Sequence, residues 1–228
     1  MVTYNSTISK GGILYMKVLI IGAHGKVGHL LTGELQSNNI EFVAGLRNQE
    51  QIDAYQANNM ETQFIDLNAS LDDIGNSIKE SGADVIVFSA GAGGAGYDIT
   101  MEIDLDGAIK TMIAAEAIGI KRYVMVSSIF SDDRSKWEAS GIRPYMIAKH
   151  YADEHLRGSN LDYTIIHPGT LTNDDSIGKI EVLDPEKGGS IPRIDVAKSI
   201  ATIITNPNTI KKEYSIISGD VDIDSAFK

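Results

Sequence analysis

Residues 17–31 read KVLIIGAHGKVGHLL, an unbroken apolar run that stops at a glycine and gives way to a helical pattern. Gly22, Gly25 and Gly28 are spaced G-x-x-G-x-x-G. A turn that leaves a strand and opens a helix needs backbone without a Cβ where the chain bends and where an anion approaches. The N–H groups of the first helical turn are then free to face that anion. The stretch therefore predicts strand, phosphate-cradling turn and helix, with Gly22, Gly25, Val27 and Gly28 as contacts to a dinucleotide. His24 within the turn and Lys26 at the helix start are further candidates for its phosphates.

Outward from this unit the pattern repeats. Apolar runs at 17–22, 41–46, 62–67, 84–90, 122–128, 162–167 and 213–218 are rich in Val, Ile and aromatics. Several are apolar at consecutive positions, as expected of strands covered on both faces. Helical patterns lie between them at about 26–38, 48–58, 70–81, 99–118, 144–157 and 193–206. Alternation of this kind predicts an α/β fold, a doubly wound, mostly parallel sheet in an α/β/α sandwich. No linker or repeat divides the chain, so residues 16–228 are expected to form one domain, with 1–15 as an N-terminal tail of no assigned role. The stretch 168–192 carries four Gly and three Pro and is too long for a simple connector; with the C-terminal region it is expected to supply a small substrate-binding portion.

Composition excludes several classes of function. A net charge of −11 and a pI near 4.8 would repel nucleic acid and anionic lipid. The absence of cysteine removes disulfide scaffolds and thiolate chemistry. The five His show no metal-ligand spacing, so no metal is expected. With no signal-peptide pattern and no membrane-length apolar run, a cytoplasmic protein without membrane or nucleic-acid partners is expected, acting on a small molecule; a homo-oligomer stays open.

Two further stretches carry chemistry. After the second strand an NAD site usually places a carboxylate, about 20 residues past the first glycine. Here the strand ends in Gly45, Leu46 and Arg47, and a guanidinium suits a 2′-phosphate, so NADP is expected in preference to NAD. The second stretch is RPYMIAKHYADEHL, residues 143–156. Tyr145 and Lys149 stand one above the other on this helix, between a strand ending in Ser127 and Ser128 and a strand ending in His167, Pro168 and Gly169. Parallel sheets place ligands at such strand ends.

On these motifs the sequence resembles the short-chain dehydrogenase/reductase family. The glycine triplet follows the pattern of its extended and atypical members, and Tyr145-x-x-x-Lys149 matches the active-site motif, with Ser128 (or Ser127) matching its serine. It is most similar to short bacterial atypical members of the NmrA-like, YhfK type, often labelled sugar epimerases or NAD(P)-binding proteins. The resemblance implies a Rossmann fold in which Asp66 and Leu67 hold the adenine and Ser89, Ala90 and Gly91 line the cofactor. It implies Tyr145 as acid/base, Lys149 as the cation that lowers the tyrosine pKa and holds the nicotinamide ribose, and Ser128 as a donor to the substrate oxygen. His167 stands where many relatives carry Arg. Few residues follow it, which disfavours a nucleotide-sugar substrate. Three functions are open: an NADP-dependent oxidoreductase or an epimerase/dehydratase acting on a small carbonyl or alcohol; an NADP(H)-binding sensor without turnover; and a flavin- or biliverdin-type reductase.

Overall fold

The computed structural model describes residues 16–183 and 187–228; the expected tail, 1–15, lies outside the described residues. The first half alternates as expected: β1 (Lys17–Ile21), α1 (Lys26–Ser37), β2 (Glu41–Leu46), α2 (Gln49–Gln56), β3 (Thr62–Phe64), α3 (Leu71–Glu80) and β4 (Val85–Phe88). A short α4 (Tyr97–Ile99) runs through a π-helical stretch, Thr100–Gly107, into α5 (Ala108–Ile118). Next come β5 (Arg122–Val126), α6 (Arg134–Trp137), α7 (Arg143–Gly158) and β6 (Asp162–Pro168). The last quarter holds β7 (Thr170–Thr172), β8 (Lys179–Leu183), β9 (Ser190–Pro192), α8 (Arg193–Thr205), β10 (Lys212–Ser218), β11 (Val221–Asp222) and α9 (Ile223–Ala226).

One nine-stranded sheet has the order β11-β8-β10-β6-β5-β4-β1-β2-β3. From β3 to β10 every neighbour pair is parallel. The order reverses between β1 and β4, which opens a crevice at their carboxyl ends. β8 and β11 add antiparallel strands at one edge, while β7 and β9 pair separately.

The expectation of a long loop over 168–192 is thus corrected. That stretch contains β7, β8 and β9, short strands hidden in the sequence by interspersed Gly, Asp and Pro, which read as loop. The helix expected at 99–118 begins at Tyr97, and its first half is π-helical.

Consecutive apolar residues in the strands are explained by two cores. Val18 and Ile20 of β1 pack with Val27, Leu31 and Leu35 of α1 and Val196 and Ile200 of α8. Leu19 and Ile21 point the other way, toward Ile74 and Ile78 of α3, Met112 of α5 and Leu156 of α7. Each fully buried Leu or Ile contributes about 1.5–3 kcal/mol, so both faces resist slippage of the strands. No helix among the described residues is long and apolar enough to cross a membrane.

Candidate functional site

The glycine turn is built by close packing. Gly22 follows β1 with φ +90°, a left-handed conformation that favours glycine, and a Cβ there would lie 2.6 Å from the backbone of Ala90 after β4. A Cβ on Gly28 would come within 2.3 Å of the Gly22 carbonyl oxygen. The Gly25 N–H closes the turn on that same oxygen at 2.9 Å. Gly25 is also the N-cap of α1, with no side-chain cap, and the first turn of α1 carries no acidic residue. Its N–H groups therefore face outward without an intramolecular acceptor side chain. Beside the turn, the buried Ser89 hydroxyl oxygen has no hydrogen-bond partner. An uncapped helix start and an orphaned hydroxyl at one crevice fit an anionic, hydroxyl-bearing ligand.

The other expected contacts divide into two groups. His24, Lys26, Arg47, Asp66 and Gly91 are exposed around the crevice, and one Asp66 oxygen accepts the Asn68 N–H at 2.9 Å. His24 and Lys26 also line a groove of about 580 Å³ with His29, Tyr55, Asn173 and Arg193. Sequence reasoning did not connect Arg193 with this groove, because only folding brings the start of α8 beside α1. Val27 and Leu67 are buried in the cores, so their side chains are unavailable to a ligand. Pro168 and Gly169 are built into the fold: the Pro168 carbonyl accepts from Ile129 at 3.0 Å, and a Cβ on Gly169 would meet the Gly189 oxygen at 2.4 Å.

Tyr145 and Lys149 share one face of α7 at the end of β5. Pro144 opens this helix in its first turn. Lys149 is 2% exposed, and its ammonium donates to the Val126 carbonyl at 3.1 Å and pairs with Asp104 Oδ1 at 3.1 Å. It lies 5.6 Å from the centre of the Tyr145 ring. Burial alone would lower the Lys149 pKa, but the Tyr145 oxygen once ionised and the Asp104 and Asp153 carboxylates outweigh it and hold the pKa above the ordinary lysine value. The ammonium is fixed as a cation.

Asp104 was not singled out from sequence. It is fully buried on the π-helical stretch, and its Oδ2 accepts the Ala92 N–H at 2.8 Å, tying the glycine-rich 91–96 segment to Lys149. An aspartate within MEIDLDGAI gives no sign of its direction, since the wider π winding changes which positions face inward.

Ser128 is near enough to the Tyr145 phenol to lower its pKa, with its own hydroxyl 3.4 Å from the Ile129 carbonyl, whereas the Ser127 hydroxyl is turned away and donates to Asp153 Oδ2 at 2.5 Å. Of the two serines, Ser128 is therefore the one beside the phenol. Burial pushes the Tyr145 pKa up; Lys149 pulls it down, Asp104 and Asp153 push it up further, and Ser128 lowers it. The balance is above the ordinary tyrosine value, so the expectation of a lowered pKa is corrected: the lysine acts in the expected direction but does not win against burial and two nearby carboxylates.

His167, which the sequence places at the end of a strand beside the ligand edge, packs within the turn. The residue is 6% exposed, with Nε2 3.0 Å from Glu213 Oε2 and Nδ1 3.3 Å from the Ser128 carbonyl. Both nitrogens are engaged within the protein, so a cofactor could meet only its backbone. Asp132, His167 and Glu213 bring ligand-type atoms within 4.8 Å of one another. Arg157, however, already binds both carboxylates, donating to Glu213 through Nε and Nη2 at 2.7 Å each and to Asp132. Trp137 is 4% exposed and its indole N–H donates to the carbonyls of Phe130 and Ser131, a packing role, while Tyr97 is 66% exposed.

Comparison with known proteins agrees with this architecture. The chain is 39% identical over 215 residues to the Bacillus subtilis protein named uncharacterized sugar epimerase YhfK, covering 93% of this chain and 99% of that one. It is 42% identical over 216 residues to the UPF0659 protein YMR090W of Saccharomyces cerevisiae, covering 90% and 94%. A solved structure from Bacillus halodurans, described as an NAD-dependent epimerase/dehydratase, superposes with TM-score 0.84 at 39% identity, covering 92% of this chain and 97% of that one. The family model for NAD(P)H-binding proteins matches residues 22–207, from the first glycine of the turn to beyond α8, and the chain belongs to that family.

Proposed function

We propose that the protein is an NADP-dependent oxidoreductase that reduces a small carbonyl compound, with Tyr145 as the proton donor. The observation that carries this reading is the convergence of Tyr145, Ser128 and Lys149 at the carboxyl end of β5, on the same sheet edge as the glycine turn. The uncapped start of α1 would receive the pyrophosphate, and the partnerless Ser89 hydroxyl would find its acceptor or donor on the cofactor. The exposed guanidinium of Arg47 at the end of β2 supports a 2′-phosphate and hence NADPH over NADH, and His24 and Lys26 are exposed at the glycine turn.

Bound NADPH supplies the hydride equivalent. The protein's own part is to hold the substrate oxygen and deliver a proton to it. Tyr145, with its pKa above the ordinary value, rests as the neutral phenol at neutral pH and is ready to donate. As the carbonyl carbon gains its new C–H bond, negative charge gathers on the oxygen. The Ser128 hydroxyl holds that oxygen and the phenol O–H bond breaks toward it, leaving alcohol and phenolate. Lys149, fixed as a cation, stabilises the phenolate until solvent returns the proton.

The test is NADPH consumption with a panel of small aldehydes and ketones. Tyr145→Phe is expected to reduce kcat by about 10²–10⁴-fold, with the NADPH Kd changed by less than about threefold. Unchanged turnover in Tyr145→Phe would remove the phenol from the mechanism. Turnover without net NADPH consumption would instead indicate epimerase or dehydratase chemistry.

A further inference from the structure

Behind the end of β5 the chain buries two ionisable side chains, Asp153 and His167, that the proposed chemistry does not use. Asp153, two turns along α7 from Tyr145, is fully buried. Its Oδ2 accepts from the hydroxyls of Ser127 at 2.5 Å and Ser131 at 3.1 Å, and its Oδ1 has no hydrogen-bond partner. On the other side stands His167, whose Nδ1 is 3.2 Å from Ser131 Oγ and 3.9 Å from Asp153 Oδ2. The protonation state of this imidazole follows from its neighbours. The Ser128 carbonyl can only accept a hydrogen bond, Glu213 as a carboxylate can only accept, and Ser131 Oγ has committed its proton to Asp153. With Ser131 donating to Asp153, both ring nitrogens face acceptors, which is the arrangement of a doubly protonated ring.

The segment they grip is strained. Phe130 has φ +66°, a conformation that bulky residues rarely adopt and that persists only when its surroundings hold it. Its restraints include the hydrogen bonds to Ser127, Ser128 and Ser131, the Trp137 indole N–H on the carbonyls of Phe130 and Ser131, and the backbone bond from Ile129 to Pro168.

We propose that Asp153 and His167 form a buried carboxylate–imidazolium pair and act as positioning residues, pinning the Ser127–Ser131 turn so that Ser128 stands beside Tyr145. The effect on turnover rests on the proposed roles of Ser128 and Tyr145; the ion pair itself does not. The charged groups facing the imidazole are Asp153 and Arg157 from α7, Glu213 from β10 and Asp132 from the turn after β5. Loss of the Nδ1 proton would leave the Ser128 carbonyl with the Ser131 N–H alone, and loss of the Nε2 proton would leave Glu213 with Arg157 alone, so either loss would remove the imidazole's hold on the turn.

Two measurements separate these claims. In protein carrying ¹⁵N-histidine, the His167 signals are identified among the five histidines by their loss in His167→Gln. A doubly protonated ring is expected in the wild type at about pH 7.5, titrating at lower pH in Asp153→Asn. A neutral, single-tautomer ring in the wild type would overturn the ion pair. In the NADPH-dependent assay, His167→Gln is expected to lower kcat by about 10- to 100-fold while the Kd for NADPH stays within about threefold. His167→Arg, which keeps a cation with several donors, should restore most of the rate. Should Asp153→Asn not fold, Ser131→Ala serves instead, with a smaller loss of kcat expected. If Tyr145→Phe abolishes turnover while folded His167→Gln and Asp153→Asn or Ser131→Ala retain it, positioning is refuted. If Tyr145→Phe itself has no effect, the catalytic reading fails, and the nitrogen spectra alone decide the ion pair.

Discussion

Two glycines on one helix make opposite predictions from the same substitution. Gly28 lies in the first turn of α1, where an added Cβ would sit 2.3 Å from the Gly22 carbonyl oxygen and 2.9 Å from Ala23 Cα. Gly33 lies five residues further on the exposed side of the same helix, with nothing within 4 Å of its added Cβ. In Gly28→Ala the contact is with backbone, so relief requires the turn to move away from its packed position. Overpacking of this kind costs about 1–3 kcal/mol. A dinucleotide that needs the original turn must restore the clash on binding, so the same energy should appear in the Kd, as a weakening of about 5- to 150-fold. Gly33→Ala should instead stabilise the fold by about 0.5–1 kcal/mol by removing unfolded-state freedom and improving helix propensity, leaving NADPH binding unchanged. NADPH fluorescence titration and urea denaturation of the two variants check both halves. Wild-type affinity in Gly28→Ala would refute the assignment of this turn to the cofactor, and equal effects from the two substitutions would refute the packing argument.

Lys149→Met leaves the fully buried Asp104 carboxylate without its cation and should destabilise the protein by about 3–5 kcal/mol in urea denaturation; adding Asp104→Asn should recover part of the loss. Glu213 has a pKa of about 2, because hydrogen bonds from Arg157 and His167 overcome the upward push of burial. A depressed carboxylate pKa stabilises the folded state above the ordinary value of 4.5, and that contribution disappears as pH falls toward about 2. Glu213→Gln should therefore be less stable than wild type at neutral pH, with the gap in urea midpoint closing across that window; a constant gap would contradict the linkage. Arg47→Ala should weaken NADPH binding by about tenfold or more while leaving NADH binding unchanged, and equal losses for the two nucleotides would remove the 2′-phosphate role.

The parallel sheet was legible because buried strands advertise themselves: VLII, VIVF and YVMV have no polar position, and each lies between helical patterns. The glycine turn was legible for a different reason, since Gly22 and Gly28 occupy places where the packing leaves no room for a methyl group. β8 and β11 were not, because β8 alternates apolar residues with the charged Lys179 and Glu181, which read as loop, and β11 is only the pair Val221–Asp222. At the site, the pairing of Tyr145 with Lys149 followed from helical spacing, and Asp153 lay on the same face four residues on, visible in YMIAKHYAD but given no partner. Its partners, Ser131 and His167, arrive from two other segments. The direction of the Tyr145 shift was misjudged because it depends on burial and on Asp104, and neither is a property of local sequence.

The π-helical winding of Thr100–Gly107 has an implication for how this protein tolerates length changes. Such winding accommodates an additional residue within an otherwise ordinary helix, and it is uncommon unless something holds it in place. Deleting one residue N-terminal to Asp104 within that stretch would let the backbone regain conventional α-helical bonding. By helical geometry it would also swing the aspartate by roughly 100° about the axis, out of line with the ammonium opposite it. The shortened protein would gain a more regular helix and lose its inward-facing carboxylate, so local regularity and the site's charge balance are in direct opposition here.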